Sequence, residues 1–323
     1  MARTRVYRGG RVLHDDLDVS AAADLIGTAD TAVWIDLGPD DLDALPPLAD
    51  RLGFHAMAIR DALAEHPSHS FARYAGHCLL VLRATTFDPS RGLLRVSPVA
   101  AFVTDDALVT VRRNDFLRAD DIVDRWGEES ELASSGSGFL LYGFLDTLSK
   151  DTAAVVRALD EALDNLADSL LDEKADESVV QRRSLVLRRG LVLLRRTIFP
   201  FEDALDTLTG DAEPPYDETI APYMHGVYER VTRLADWTDS LRDMVATIVQ
   251  TAMSLHDSRM TVISKKVSGW GALIAVPAVI TGFFGINVPY PGINQQWGFV
   301  LCVVVLVASF VTLYAVFKHR DWL

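Results

Sequence analysis

Charge is missing from one long stretch of this chain: Val267–Phe317 contains no Asp, Glu, Lys, Arg or His. A run of that length excludes a wholly water-soluble protein. It divides into Val267–Phe284 and Trp297–Phe317, joined by Gly285–Gln296, a polar stretch with two prolines, two asparagines and two glutamines. About 20 apolar residues cross a hydrocarbon core of about 30 Å, so two transmembrane helices and a tight loop are expected. No third run of this kind occurs elsewhere. Cysteine is nearly absent, with only Cys78 and Cys302, so a disulfide framework is not on offer. Basic residues are outnumbered, 31 Lys and Arg against 45 Asp and Glu for a formal net charge of −14, which argues against nucleic acid as a partner and makes cations the natural company. Met1–Gly10 is polar and basic, without the apolar core of a cleavable signal. A nucleophile, base and orienting group at a recognised spacing are also missing, so no enzyme is expected.

What is present orients the chain. Lys265 and Lys266 precede the first apolar run, Lys318, His319 and Arg320 follow the second, and the connecting loop is uncharged. By the positive-inside rule both termini face the cytoplasm of a plasma (inner) membrane, which the chain crosses twice. A lone hairpin would press any polar face against lipid, so passage of an ion demands several copies.

The rest of the chain changes character along its length. Ala32–Leu37, Cys78–Phe87, Leu93–Thr104 and Ala107–Arg112 read as strands, Asp40–Leu52 and His55–Glu65 as helices, with Asp40 the candidate N-cap and Thr104–Ala107 a hairpin turn. Ser134–Gly138 reads as a linker, since it lacks the Lys-Ser/Thr ending of a phosphate-binding loop. Apolar positions then recur at helical spacing: Leu145, Leu148, Val155, Leu159, Leu163, Leu166 and Leu170. From Asp217 the pattern runs on into the first span, interrupted only by Pro222 and Gly226. A helix from about Tyr223 to Phe284 would be about 90 Å long. The expected organisation is an α/β domain over 1–133, a helical hairpin over 134–215, a stalk helix over 216–266, a first transmembrane helix over 267–286, an extracytoplasmic loop over 287–296, a second transmembrane helix over 297–317 and a basic cytosolic tail over 318–323.

Three groups of residues are candidates for chemistry. Thr261, Ser264, Ser268, Gly271, Ala275, Ala278 and Gly282 recur every three or four residues, a small and partly polar face that suits either close helix packing or a pore wall. Asp236, Asp239 and Asp243 fall on one face of the stalk, placed either for a regulatory cation between subunits or for salt bridges with Arg230, Arg233 and Arg242. His55, His66, His69 and His77 gather with Asp61 and Glu65, where zinc ligation competes with plain solvation.

Gly285-Ile286-Asn287 after the first span and the ending Lys318-His319-Arg320-Asp321-Trp322-Leu323 resemble the CorA family of divalent-cation channels, whose members carry Gly-Met-Asn at this place and a basic tail closing in Trp-Leu. The resemblance extends to Val33-Trp34-Ile35-Asp36-Leu37, Leu52-Gly53-Phe54-His55 and Cys78-Leu79-Leu80-Val81-Leu82, and covers essentially the whole chain. It implies a funnel-shaped homopentamer whose first transmembrane helices line the pore, with Asn287 at the outer mouth offering its side-chain carbonyl, and Gly285 its backbone, to a hydrated cation. Mg²⁺ sheds water reluctantly, so a ring of neutral oxygens can hold it through its waters. The transported ion is then the substrate, and no cofactor is implied.

Three departures bear on which ion. Ile286 replaces the motif methionine, as in the ZntB zinc branch, which also departs there. Val288–Gln296 carries no acid to gather cations. Gly226 stands where magnesium channels of the family place an acidic residue for an intersubunit regulatory ion. A channel for Mg²⁺, with Co²⁺ or Ni²⁺, is the leading expectation. A proton-coupled Zn²⁺ transporter and a non-conducting membrane-anchored scaffold are the alternatives.

Overall fold

The computed structural model describes residues 2–64, 70–171, 177–286, 292, 295–320 and 322. It divides into two units, Met1–Ile248 and Val249–Leu323.

The first unit is organised by a sheet. Its strands are β1 (Arg3–Arg8), β2 (Arg11–Asp15), β3 (Thr31–Leu37), β4 (Phe71–Tyr74), β5 (His77–Asp88), β6 (Leu93–Val103) and β7 (Ala107–Arg112), in the order β2-β1-β3-β7-β6-β5-β4. Every neighbouring pair is antiparallel except β3 and β7. The central strands β3 and β7 are buried at every position, as near-continuous apolar runs require when helices cover both faces. On one face α1 (Val19–Asp24), α2 (Leu45–Leu52) and α3 (Ala56–Ala62) close a core with Val33, Ile35, Val81, Phe102 and Val109. The other face carries α4 (Ala119–Glu128), α5 (Gly136–Leu171) and α6 (Glu177–Gly210).

Asp40 does not cap a helix. A short 3-10 turn over Leu42–Ala44 intervenes, its N-terminal residue is Asp41, and α2 starts with Pro46 and Pro47 in its first turn, where a missing N–H costs nothing. Nor is Ser134–Gly138 a linker. Ser130–Ser135 forms a 3-10 helix, Gly136 turns the chain at φ +62°, and α5 begins there with Ser137 Oγ donating to the Asp105 carbonyl at 2.8 Å. Residues 137 to 149 are buried all round the helix, which makes the start of α5 a core element rather than a surface arm. Gly143 shows how tight that core is: a Cβ there would run into the indole Nε1 of Trp126, which stands edge-on to Trp34 at 4.7 Å.

The stalk expectation is met by α7 (Ala221–Phe284), one helix of 64 residues. Pro222 and Gly226 do not break it, because Pro222 falls in the first turn and Gly226 has helical backbone. The second span is α8 (Gln296–His319). Among the described residues α7 and α8 are the two helices long and apolar enough to cross a membrane, with mean hydropathies of 1.7 and 2.8 over their most apolar windows.

Candidate ion pathway

Thr261, Ser264, Ser268, Gly271, Ala275, Ala278 and Gly282 are all exposed in the single chain. A Cβ added at Gly271 or Gly282 would meet nothing within 4 Å. The buried side of α7 lies elsewhere around the helix: Gly269 and Leu273 are buried, and Ala272, Val276, Ile280 and Phe284 are half-buried. Of α8, Gly298 is buried and Cys302, Leu306, Ser309, Leu313 and Phe317 are half-buried at helical spacing. Each span thus has one face for a hairpin partner, and the small-residue face of α7 is not that face.

The chemistry of the uncovered face is mild. Thr261 Oγ1 donates to the Asp257 carbonyl at 2.8 Å, which leaves its lone pairs outward as acceptors. Off that face, the half-buried Pro277 lies inside the helix and supplies no N–H to the carbonyl of Leu273. At the end of α7 the Gly285 amide donates to the Thr281 carbonyl at 2.9 Å and the Ile286 amide to the Phe283 carbonyl at 3.3 Å, closing the helix with Ile286 47% exposed. Asn287, and with it most of the expected loop, lies outside the described residues, as do Asp321 and Leu323 of the tail.

The stalk acids separate on inspection. Asp239 accepts from Arg195 of α6 at 2.7 Å and from Arg242 at 2.7 Å, and these hydrogen bonds hold its carboxyl below the usual range. Asp236 and Asp243 are exposed and form no ion pair with a described residue. Of the other arginines expected to neutralise this face, Arg230 turns to Asp146 and Arg233 to Glu229. The histidines have structural work instead. His55 caps α3, its Nδ1 accepting from the Met57 amide at 3.2 Å, and Tyr74 is stacked between His55 and His77, 5.0 Å from each. His66 and His69 lie outside the described residues, and among the described residues no cluster of three His, Cys, Asp or Glu is placed to hold a metal.

Sequence reasoning missed two buried charge networks. Asp36, fully buried, receives Arg112 through Nε at 3.0 Å and Nη2 at 2.7 Å, and accepts from Thr110 Oγ1 at 2.6 Å, which in turn accepts from the Trp34 indole at 3.0 Å. Trp34 and Asp36, two residues of the Val-Trp-Ile-Asp-Leu run, are therefore fold residues. The second centre is Asp146, also fully buried, which takes Arg230 at 2.6 Å, Lys150 at 3.0 Å and the guanidinium of Arg125. Burial pushes this carboxyl up, but hydrogen bonds from Arg230 and Lys150 and the charges of Arg230 and Arg125 outweigh it and leave it below its ordinary value. Five residues on, Asp151 has no such partner among the described residues: burial, with the Asp121 charge adding, raises it to about 6. Partners 84 residues apart leave no local signal, whereas Asp151 was visible only as one acid among many.

Three comparisons bear on this arrangement. The family model described as CorA-like Mg²⁺ transporter protein matches residues 29–319. The cobalt/magnesium transport protein CorA of Thermotoga maritima is 24% identical over 300 residues, covering 91% of this chain and 84% of that one. The zinc transport protein ZntB of Yersinia enterocolitica is 24% identical over 321 residues, covering 94% and 92%. Among solved structures, the complete CorA magnesium transporter of Methanocaldococcus jannaschii superposes with a TM-score of 0.79 at 22% identity, over 100% of this chain and 99% of that one.

Proposed function

The chain belongs to the CorA-like Mg²⁺ transporter family, and from that premise we propose that it carries a divalent metal cation across the plasma membrane through a homopentameric channel. The observation that carries this reading is the uncovered face of α7. Seven small or hydroxyl-bearing residues run along the first span on a side that the hairpin does not use, and in lipid such a face gains only when copies of itself enclose it. Five such faces would wall a path whose oxygens, from Thr261, Ser264 and Ser268, hold a hydrated cation through its waters.

In this reading Gly285, Ile286 and Asn287 form the outer mouth, the amide oxygen of Asn287 gathers cations, and both termini face the cytoplasm, as Lys265, Lys266, Lys318, His319 and Arg320 support. The membrane potential drives entry, at about 2.3 kcal/mol per charge per 100 mV.

Identity does not choose the ion, since relatives named for cobalt/magnesium and for zinc transport are equally similar at 24%. Ile286 in place of the motif methionine favours keeping a second reading, proton-coupled Zn²⁺ transport. Flux into liposomes holding the purified full chain separates them, with Mg²⁺, Co²⁺, Ni²⁺ and Zn²⁺ each supplied with and without a pH gradient. Potential-driven Mg²⁺ entry, lost in Asn287→Ala, supports the channel. Zn²⁺ entry that needs the gradient moves the assignment to the second reading, and no flux of any ion leaves a scaffold.

A further inference from the structure

Helix α6 carries a basic and apolar face that the single chain leaves uncovered. Leu185, Val192 and Phe199 recur every seven residues and are 56%, 38% and 61% exposed. Arg182, Arg183, Arg188, Arg189 and Arg196 flank them, all exposed and none in an ion pair with a described residue. That is conspicuous in a chain of net charge −14. Where α6 runs beside α7 this face deepens into a groove of about 490 Å³, lined by Val192, Phe199 and Pro200 together with Arg83, Arg196 and Arg242.

The complement lies on α7 of the same chain, on a different flank. Trp237 and Met244, again seven residues apart, are 36% and 42% exposed, and Asp236 and Asp243 beside them are the unpaired acids. With 3.6 residues per turn, Trp237 and Met244 stand about 140–160° around the helix from Arg242, so ridge and groove point in different directions and cannot meet within one copy.

We propose that the groove on α6 receives the Trp237–Met244 ridge of α7 from a second copy of this chain, with Asp236 and Asp243 paired to the neighbour's Arg188, Arg189 and Arg196. This deepens, and rests on, the homo-oligomeric reading above. Two unlike patches on one subunit make a heterologous contact, and such a contact closes into a ring when its rotation allows. Matched seven-residue repeats with opposite charges at their rims are the pattern by which helices choose partners and register. The assignment gives the acids Asp236 and Asp243 a protein partner instead of a metal ion.

The test is a charge exchange in the full chain, read as oligomer fraction in detergent by light scattering coupled to size exclusion. Asp236→Arg with Asp243→Arg, or Arg189→Glu with Arg196→Glu, each lowers the oligomer fraction at least tenfold, and the four changes together restore it. Because either reversal can harm folding, a second arm co-expresses two differently tagged chains, one Phe199→Cys and one Trp237→Cys. A mixed cross-linked dimer forms on oxidation only when both are present. A wild-type oligomer that ignores the reversals and gives no mixed dimer overturns this interface while the transport reading stands. A wild-type chain that is monomeric overturns the assembly reading and the interface with it. If the α6 reversal lowers retained phosphatidylglycerol without touching assembly, the face belongs to an anionic bilayer and the proposal is wrong.

Discussion

The two units of this chain handle their polar groups in opposite ways. In Met1–Ile248 the buried carboxylates Asp36 and Asp146 are satisfied within one copy, each by guanidinium and hydroxyl or ammonium partners. In Val249–Leu323 the hydroxyl-bearing residues Thr261, Ser264 and Ser268 of α7 lie exposed, off the hairpin's own packing face, and Thr261 bonds back to the Asp257 carbonyl of its own helix. The first pattern describes a core that closes over its own buried charges, and the second describes a membrane face left open for other copies. Substitutions at those buried carboxylates should therefore act on stability, and substitutions on the face of α7 that we assign to the pore wall should act on flux.

The sharpest way to break the first half of that contrast is Asp146→Ala. It leaves the guanidinium of Arg125, only 14% exposed, and that of Arg230 without their shared carboxylate. Breaking a buried pair from one side costs about 3–5 kcal/mol, which for a unit of this size lowers Tm by roughly 6–20 °C. Thermal unfolding of the full chain in detergent measures it, and an unchanged Tm would refute the role of this centre.

Asp151 probes the same unit with the sign reversed. Burial and the nearby Asp121 raise its pKa to about 6 from the ordinary 3.8. The folded chain thus keeps a proton that the unfolded chain has lost between those values, so stability falls as pH rises through that window. At neutral pH the ionised group costs about 2–3 kcal/mol. Asp151→Asn should raise Tm at pH 7 and leave it nearly unchanged near pH 3, where both states are largely protonated. A gain of equal size at both pH values would point to packing instead.

Asn287→Ala tests the other unit. If the mouth gathers cations through that amide, flux falls tenfold or more, equivalent to about 1.4 kcal/mol, while Tm of the sheet unit stays where it was. Loss of both together would mean that Asn287 supports the fold.

How far these residues could be foreseen follows from how local their signals are. The apolar runs of β3, β5, β6 and β7 and the two uncharged spans announce themselves within a few residues, and the elements appear close to where periodicity puts them. Pro222 and Gly226 read as breaks because propensity was given more weight than position: a proline in a first turn is harmless. The start of α5 read as a linker because Ser and Gly suggest loops, whereas here the glycines admit Trp126 and Tyr216. Asp146 with Arg230 and Asp36 with Arg112 were invisible, since nothing local joins residues 84 and 76 apart. For the small-residue face, sequence showed the pattern and left packing and pore both open. The single chain adds that the hairpin does not consume it.

The finest test of the contrast applies one substitution twice in one helix. Gly226 and Gly271 both belong to α7, both have helical backbone, and at both a Cβ would meet nothing within 4 Å. By local physics the two are equivalent, and Gly→Ala at either should stabilise the helix by about 0.5–1 kcal/mol. Gly226→Ala should do only that, with a small rise in Tm and unchanged flux. Gly271 lies on the face that we assign to the pore wall, so the same methyl group projects toward the ion path of an assembled channel, and Gly271→Ala should reduce flux two- to fivefold despite the same local gain. Equal flux from the two variants would show that the small face of α7 is a packing surface, and would move the path for the ion to another part of the assembly.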